Sequence, residues 1–166
     1  MKRLVLLTLL MLIVSQPAQA STTLSPIQQA MLRIRNERVE HLLVFNRNGE
    51  LIGESTGTAN RAMPPGNVSL SNTTVLHNHP SPAAPWFSHA DYNLADINYV
   101  KRMIVITPVT LNGQRMYVVC ILERGERWPK LNKDVFISRA KQIGYHAAWT
   151  EYAVANGIYY ECPVVP

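Results

Sequence analysis

The stretch HNHPSPAAPWFSHAD (residues 77–91) sets two histidines one residue apart, then a proline-rich connection, then a serine three residues ahead of an aspartate. In an extended chain, residues i and i+2 share a face, so a strand ending here aims the imidazoles of His77 and His79 at one point. PSPAAP cannot be helix or central strand, because proline lacks an amide donor and restricts the residue before it. Ser88 followed by Asp91 is the pattern of a helix cap with its reciprocal acid. The stretch therefore reads as strand, loop and helix start. It fits two chemistries: a pair that only caps the helix, or a site where Asp91 joins the histidines as third ligand of a metal. His89 is a rival for that third place, although an exposed helix position is its simpler reading.

Working outward, Thr74–His79 is the strand that delivers the histidines, and the helix opened by Ser88 has Ala90, Leu94, Ile97 and Val100 on one face. Upstream, Ser25-Pro26 starts a helix that should run to about Arg38, with Ile27, Ala30, Met31 and Ile34 at helical spacing. EHLLVFNRNGELIGE then reads as a hairpin, strands near Glu40–Phe45 and Glu50–Glu54, with Asn48-Gly49 supplying the positive φ angles of a tight turn. Ser55 to Asn67 is rich in Gly, Pro and small polar residues and reads as an irregular loop or flap, followed by a brief strand at Val68–Leu70. Downstream, Met103–Thr107 and Arg115–Leu122 are strands, and one last helix lies within Asp134–Ala155, ended by Asn156-Gly157. Helices interspersed among strands predict an α/β domain, a mixed β-sheet flanked by helices.

At 166 residues, 47% apolar and 16% charged, the chain suits a single globular domain. Its start reads as a secretory signal: Lys2 and Arg3, the apolar run Leu4 to Val14, and AQA at Ala18 to Ala20. That run is too short to span a bilayer, so the expectation is cleavage after Ala20, no permanent membrane anchor and a periplasmic or secreted product. Residues 21–166 then form one domain, with a core at about 25–122 and a C-terminal helix and tail at 123–166. The mature chain has 14 basic residues against 11 acidic ones, a net charge of +3, too mild for a dedicated nucleic-acid binder. Cys120 and Cys162 would meet an oxidising compartment; a disulfide is the expectation, two buried thiols the alternative.

Taken together, the pattern resembles the JAMM (MPN-plus, or JAB) zinc metalloproteases. Their signature is an upstream glutamate, His-x-His-Pro, a short loop and Ser-x-x-Asp, following a helix and a strand hairpin. HNHPS looks most like the RadC branch, and the resemblance covers roughly residues 25 to 122. It implies a cytidine-deaminase-like architecture in which His77, His79 and Asp91 bind zinc and Ser88 supports the tetrahedral intermediate. It also implies a general base at the start of the first strand, which is Glu40; Glu54 is the runner-up, and Glu50 beside the turn reads as solvent-exposed. The implied activity is hydrolysis of an amide by zinc-activated water, in an exported peptidase or isopeptidase acting on a protein, peptide or cell-wall peptide.

Two features depart from the family. The connection from His79 to Ser88 holds eight residues, one more than the usual spacing, and ANRAMPPGN stands where the RadC branch has an extra helix. Two other classes stay open: a non-catalytic module that keeps the fold, and a nucleic-acid-associated role suggested by the RadC likeness. Trp86 and Phe87 either border a substrate groove or staple the helix start. His41, His146 and Trp128 have no partner visible in sequence.

Overall fold

HLLVF forms β1 (His41–Phe45), and Leu42 to Phe45 are all buried, as expected of a strand covered on both faces. It pairs antiparallel with β2 (Leu51–Thr56) and, on its other side, with β3 (Thr74–Asn78). The structure, a computed structural model, describes residues 23–80, 85–125 and 128–166. The expected signal segment and part of the proline-rich connection lie outside the described residues. Among the described residues no helix is long and apolar enough to cross a membrane.

The hairpin loop differs from the expected two-residue turn. Asn46 N–H donates to the Glu50 carbonyl (2.9 Å), leaving three residues between, and only Gly49 takes a positive φ, +80°. A three-residue loop with one left-handed glycine is the alternative hairpin solution, and it comes with the register shift seen at Val44/Phe45.

The helix before the hairpin, α1 (Pro26–Ile34), has the expected start, with Ser25 as N-cap and Gln28 completing a capping box. It stops short of Arg38, because Ala30 and Ile34 are its last residues to reach the sheet. Val68–Leu70 is not a strand: β3 already has β1 on one side and β4 (Arg102–Leu111) on the other.

The β3–β4 pair is parallel. A parallel pair needs a crossover, which α2 (His89–Ile97) supplies. Tyr92 and Ala95 face the core, while Ile97 is 74% exposed, so the face expected through Ala90, Leu94 and Ile97 is rotated. The large aromatic ring of Tyr92 outweighs smaller apolar residues in choosing the buried side.

β4 continues past Thr107 to Leu111, beyond the last β3 partner pair, Asn78 with Ile106, where Pro108 needs no donor on that side. It turns through Asn112-Gly113, with φ +51° and +78°, into β5 (Gln114–Glu123). Both residues in the left-handed region make this the tight hairpin turn of the chain.

The single C-terminal helix expected from sequence is two, α3 (Lys133–Ile143) and α4 (Tyr145–Asn156), broken where Gly144 takes φ +88°. Short strands β6 (Tyr159–Glu161) and β7 (Val164–Val165) both pair with β5, giving the order β2-β1-β3-β4-β5-β6 with β7 beside β6 on β5. The result is an α/β domain with a mixed sheet flanked by helices. α1 covers one face against Leu43, Leu76 and Ile104. On the other face Tyr92, Phe136 and Trp149 pack with Leu42, Val75 and Val105.

Cys120 of β5 is bonded to Cys162, 42 residues on, in the segment between β6 and β7. Closing a loop of that length stabilises the fold by about 4 kcal/mol through the unfolded chain's lost entropy. Cys162→Ser is therefore expected to lower unfolding free energy by about 4 kcal/mol in urea titrations. Wild type treated with reductant should fall by a similar amount.

Candidate metal centre

His77 pairs with Leu42 of β1 and Val105 of β4, which puts its ring on the α2 side of the sheet. His79 lies just past β3, yet its N–H still donates to Ile106 O (3.0 Å), so the strand direction persists. Period-two alternation then brings the two Nε2 atoms to 3.2 Å. Across from them, Ser88 caps α2: its Oγ accepts from Asp91 N–H (3.2 Å), and its own N–H donates to Asp91 Oδ2 (2.6 Å). The same carboxylate faces the histidines, Oδ1 at 3.3 Å from His77 Nε2 and Oδ2 at 3.7 Å from His79 Nε2. Asp91 thus serves the capping box and the histidine pair at once, and the eight-residue connection does not keep it out of reach.

One ligand atom from each of His77, His79 and Asp91 falls within 4.8 Å of the others, close enough to hold a metal ion. Ligands bound tetrahedrally at about 2.0–2.1 Å lie about 3.3 Å from one another. The Nε2–Nε2 separation of 3.2 Å and the 3.3 Å from His77 Nε2 to Asp91 Oδ1 match two edges of such a figure, while His79 Nε2 lies 3.7 Å from the other carboxylate oxygen, Oδ2. His77 Nδ1 is buried with no hydrogen-bond partner among the described residues, so packing near Phe87 (centroids 6.4 Å apart) sets that ring rather than a second hydrogen bond.

Burial opposes charge on all three acidic and basic groups, and their neighbours reverse it for two. Burial pushes the Asp91 carboxyl up, but the His77 and His79 imidazoles and the Ser88 bond together hold it well below the usual carboxylate range. Burial pushes His77 down, yet Asp91, by charge and hydrogen bond, and Glu40 raise it overall. For Glu40 burial wins: its carboxyl is raised, with His77 and the Ala62 backbone N–H opposing and Asp91 reinforcing.

Glu40 precedes β1 and shares the face of Leu42. It lines the same cavity, about 330 Å³, as His77, His79, Ser88 and Asp91, under a rim made by Asn60 to Pro64. The five residues singled out in the sequence therefore converge on one cavity. The runner-up does not: Glu54 pairs with Leu43 in register, which points it to the α1 face, where it meets Arg33 (2.8 Å) and His41 (3.6 Å). Glu50 is exposed and accepts from Asn46 Nδ2 (2.6 Å). His89 stands 3.1 Å from Asn93 and outside the cavity lining. Phe87 is buried, with Trp149 Nε1 donating to its carbonyl (3.1 Å), and Trp86 lies against His146 (centroids 5.6 Å). Trp128 Nε1 donates to Val100 O (2.7 Å).

Sequence reading treated Asn78 only as motif wording. Its buried amide bridges the residues on either side of Glu40: Nδ2 donates to Val39 O (3.0 Å), and Oδ1 accepts from His41 N–H (2.7 Å). A polar residue between two strand histidines, forced onto the opposite, buried face, was the available signal, since such a group must find partners. Asn78→Leu strands both backbone groups. It is expected to cost about 2–4 kcal/mol in denaturant titrations, while bound metal, measured by calorimetry, stays at wild-type stoichiometry.

Compared with protein-family models, curated proteins and solved structures, the chain matches none.

Proposed function

We propose that the chain is an exported, zinc-dependent amide hydrolase of JAMM-like architecture, a peptidase or isopeptidase. The observation that carries this reading is the convergence of two imidazole nitrogens and a carboxylate oxygen within 4.8 Å of one another, in a cavity shared with a half-buried glutamate of raised pKa. The Cys120–Cys162 bond supports export, because disulfides persist in oxidising compartments.

Zn²⁺ suits two imidazoles and one carboxylate with a position left open, and when bound it supplies Lewis-acid polarisation and acidifies water near neutral pH. The remaining work falls to the chain's own groups. Glu40, which lines the same cavity, takes a proton from the attacking water and delivers it to the leaving nitrogen. Ser88 Oγ already accepts from Asp91 N–H, which leaves its hydroxyl hydrogen to donate to the oxyanion that develops on the carbonyl. Asn78 holds the backbone around Glu40, and the nearby Ala62 backbone favours its carboxylate form. No side chain forms a covalent intermediate.

The test is metal analysis of purified protein, followed by zinc-loaded screening against peptide, isopeptide and cell-wall amide libraries with Glu40→Gln as control. About one zinc per chain and Glu40-dependent cleavage are expected; a protein that binds no metal would sink the reading.

A further inference from the structure

Among the described residues, Arg61 is the one lysine or arginine lining the metal cavity. Arg33, Arg102 and Arg139 each pair with a glutamate, whereas the Arg61 side chain, exposed at the rim, has no ion pair or hydrogen bond among the described residues. Its backbone is nonetheless fixed. Thr58 N–H donates to Arg61 O (2.8 Å), and Gly57 packs so closely that a Cβ there would lie 1.9 Å from Arg61 O and 2.7 Å from Ala62 Cα. The next residue, Ala62, brings its backbone close enough to the Glu40 carboxylate to favour the charged form. Arg61 is thus anchored beside the group that protonates the leaving nitrogen, and Asn60, with an amide donor, lines the cavity next to it.

We propose that Arg61 and Asn60 form a subsite for the free α-carboxylate of the amino acid whose amino group leaves, so that the enzyme trims C-terminal residues from peptides. This rests on the hydrolase reading above. In an α-linked C-terminal residue, only the α-carbon separates the leaving nitrogen from the carboxylate, which suits an Arg61 that lines the same cavity as Glu40 and is next in sequence to Ala62, whose backbone faces the Glu40 carboxylate. In an isopeptide a whole lysine side chain intervenes, and an interior peptide bond offers no carboxylate at all. The guanidinium fork suits a carboxylate bidentately. In the reaction water adds across the C–N bond: its oxygen goes to the acyl carbon, a proton passes through Glu40 to nitrogen, and the products are a shortened peptide acid and a free amino acid.

The test pairs each cleaved peptide with its C-terminal amide and with an isopeptide of the same residues, using zinc-loaded wild type, Arg61→Gln and Arg61→Lys. Expected is a kcat/KM at least tenfold higher for the free acid, a ratio falling to near one in Arg61→Gln, and partial recovery in Arg61→Lys. Equal cleavage of acid and amide, or a preference that survives Arg61→Gln, overturns the subsite and leaves the hydrolase reading standing. A second arm titrates the protein with N-acetylalanine and N-acetylalanine amide, read by NMR at the Asn60–Met63 amides. Tighter binding of the acid, lost in Arg61→Gln, supports the subsite even if nothing is cleaved, and then the hydrolase reading alone fails. Equal binding, or acid binding unchanged in Arg61→Gln, which would report the metal instead, counts against it.

Discussion

His77→Ala is expected to lose stoichiometric zinc, with affinity down by more than about a hundredfold, since removing even an outer partner of a ligand costs 10–100-fold. Because the substitution also leaves a cavity beside Phe87, Asp91→Asn is the companion variant. Its amide oxygen can still accept from Ser88 N–H and keep the cap, while the charge that faces both histidines is gone. Loss of metal with helix content and unfolding midpoint retained separates a ligand from a structural acid. Affinity should also fall with pH. In the metal-free protein Asp91 and Glu40 raise His77 above its ordinary 6.5, so a bound metal displaces a proton from it. Below that raised value, each pH unit should weaken binding by up to tenfold, read as a pH-dependent dissociation constant by competition with a chelator. The metal-free fold shows the complementary linkage. His77's contribution is present below 6.5 and lost as pH rises through its raised value; Asp91's is present above 3.8 and lost as pH falls through its depressed one. A metal affinity that did not change between pH 5 and 8 would mean that His77 is not a ligand.

What was legible in the sequence was local. The histidine strand, the capped helix and the first hairpin each follow from period-two alternation, a capping pair or a turn glycine within a few residues of the feature they specify, although Asn48-Gly49 does not form the two-residue turn expected of it. The Glu40 or Glu54 choice was harder, although the hairpin register already places them on opposite faces of the sheet. Which face carries the histidines depends on the β1–β3 pairing of Leu42 with His77, set by long-range packing that no local pattern reports. The break at Gly144 was missed for the same reason. A glycine inside a helical pattern is often tolerated, and only the packing of Phe136 against Trp149 (centroids 4.5 Å) shows why α3 and α4 fold onto each other there. Asn78 was overlooked because its partners, Val39 and His41, come from another element. The disulfide was expected from compartment, but its geometry depends on β6 and β7 flanking β5, which their short sequences did not announce.

Glu40→Gln is expected to keep zinc and the fold while lowering kcat by about 10²–10⁴, the usual contribution of a positioned proton-transfer group. The change is nearly isosteric, and Asn78 still holds the flanking backbone, so structure offers no other route to a large loss. Its pH profile makes the assignment specific. A general base works only when deprotonated, so wild-type kcat/KM should fall as pH drops through the titration of Glu40 in the zinc-loaded enzyme. With zinc held saturating, that acidic limb should vanish in Glu40→Gln, whereas a limb caused by proton competition for His77 and Asp91 would remain. The same variant separates the classes that sequence left open. A non-catalytic module would bind its partner equally well with either residue and hydrolyse nothing. A nucleic-acid role would show binding that is indifferent to position 40 and weakened by modest salt. Only a hydrolase makes one carboxyl oxygen in this cavity worth about 10²–10⁴ in turnover.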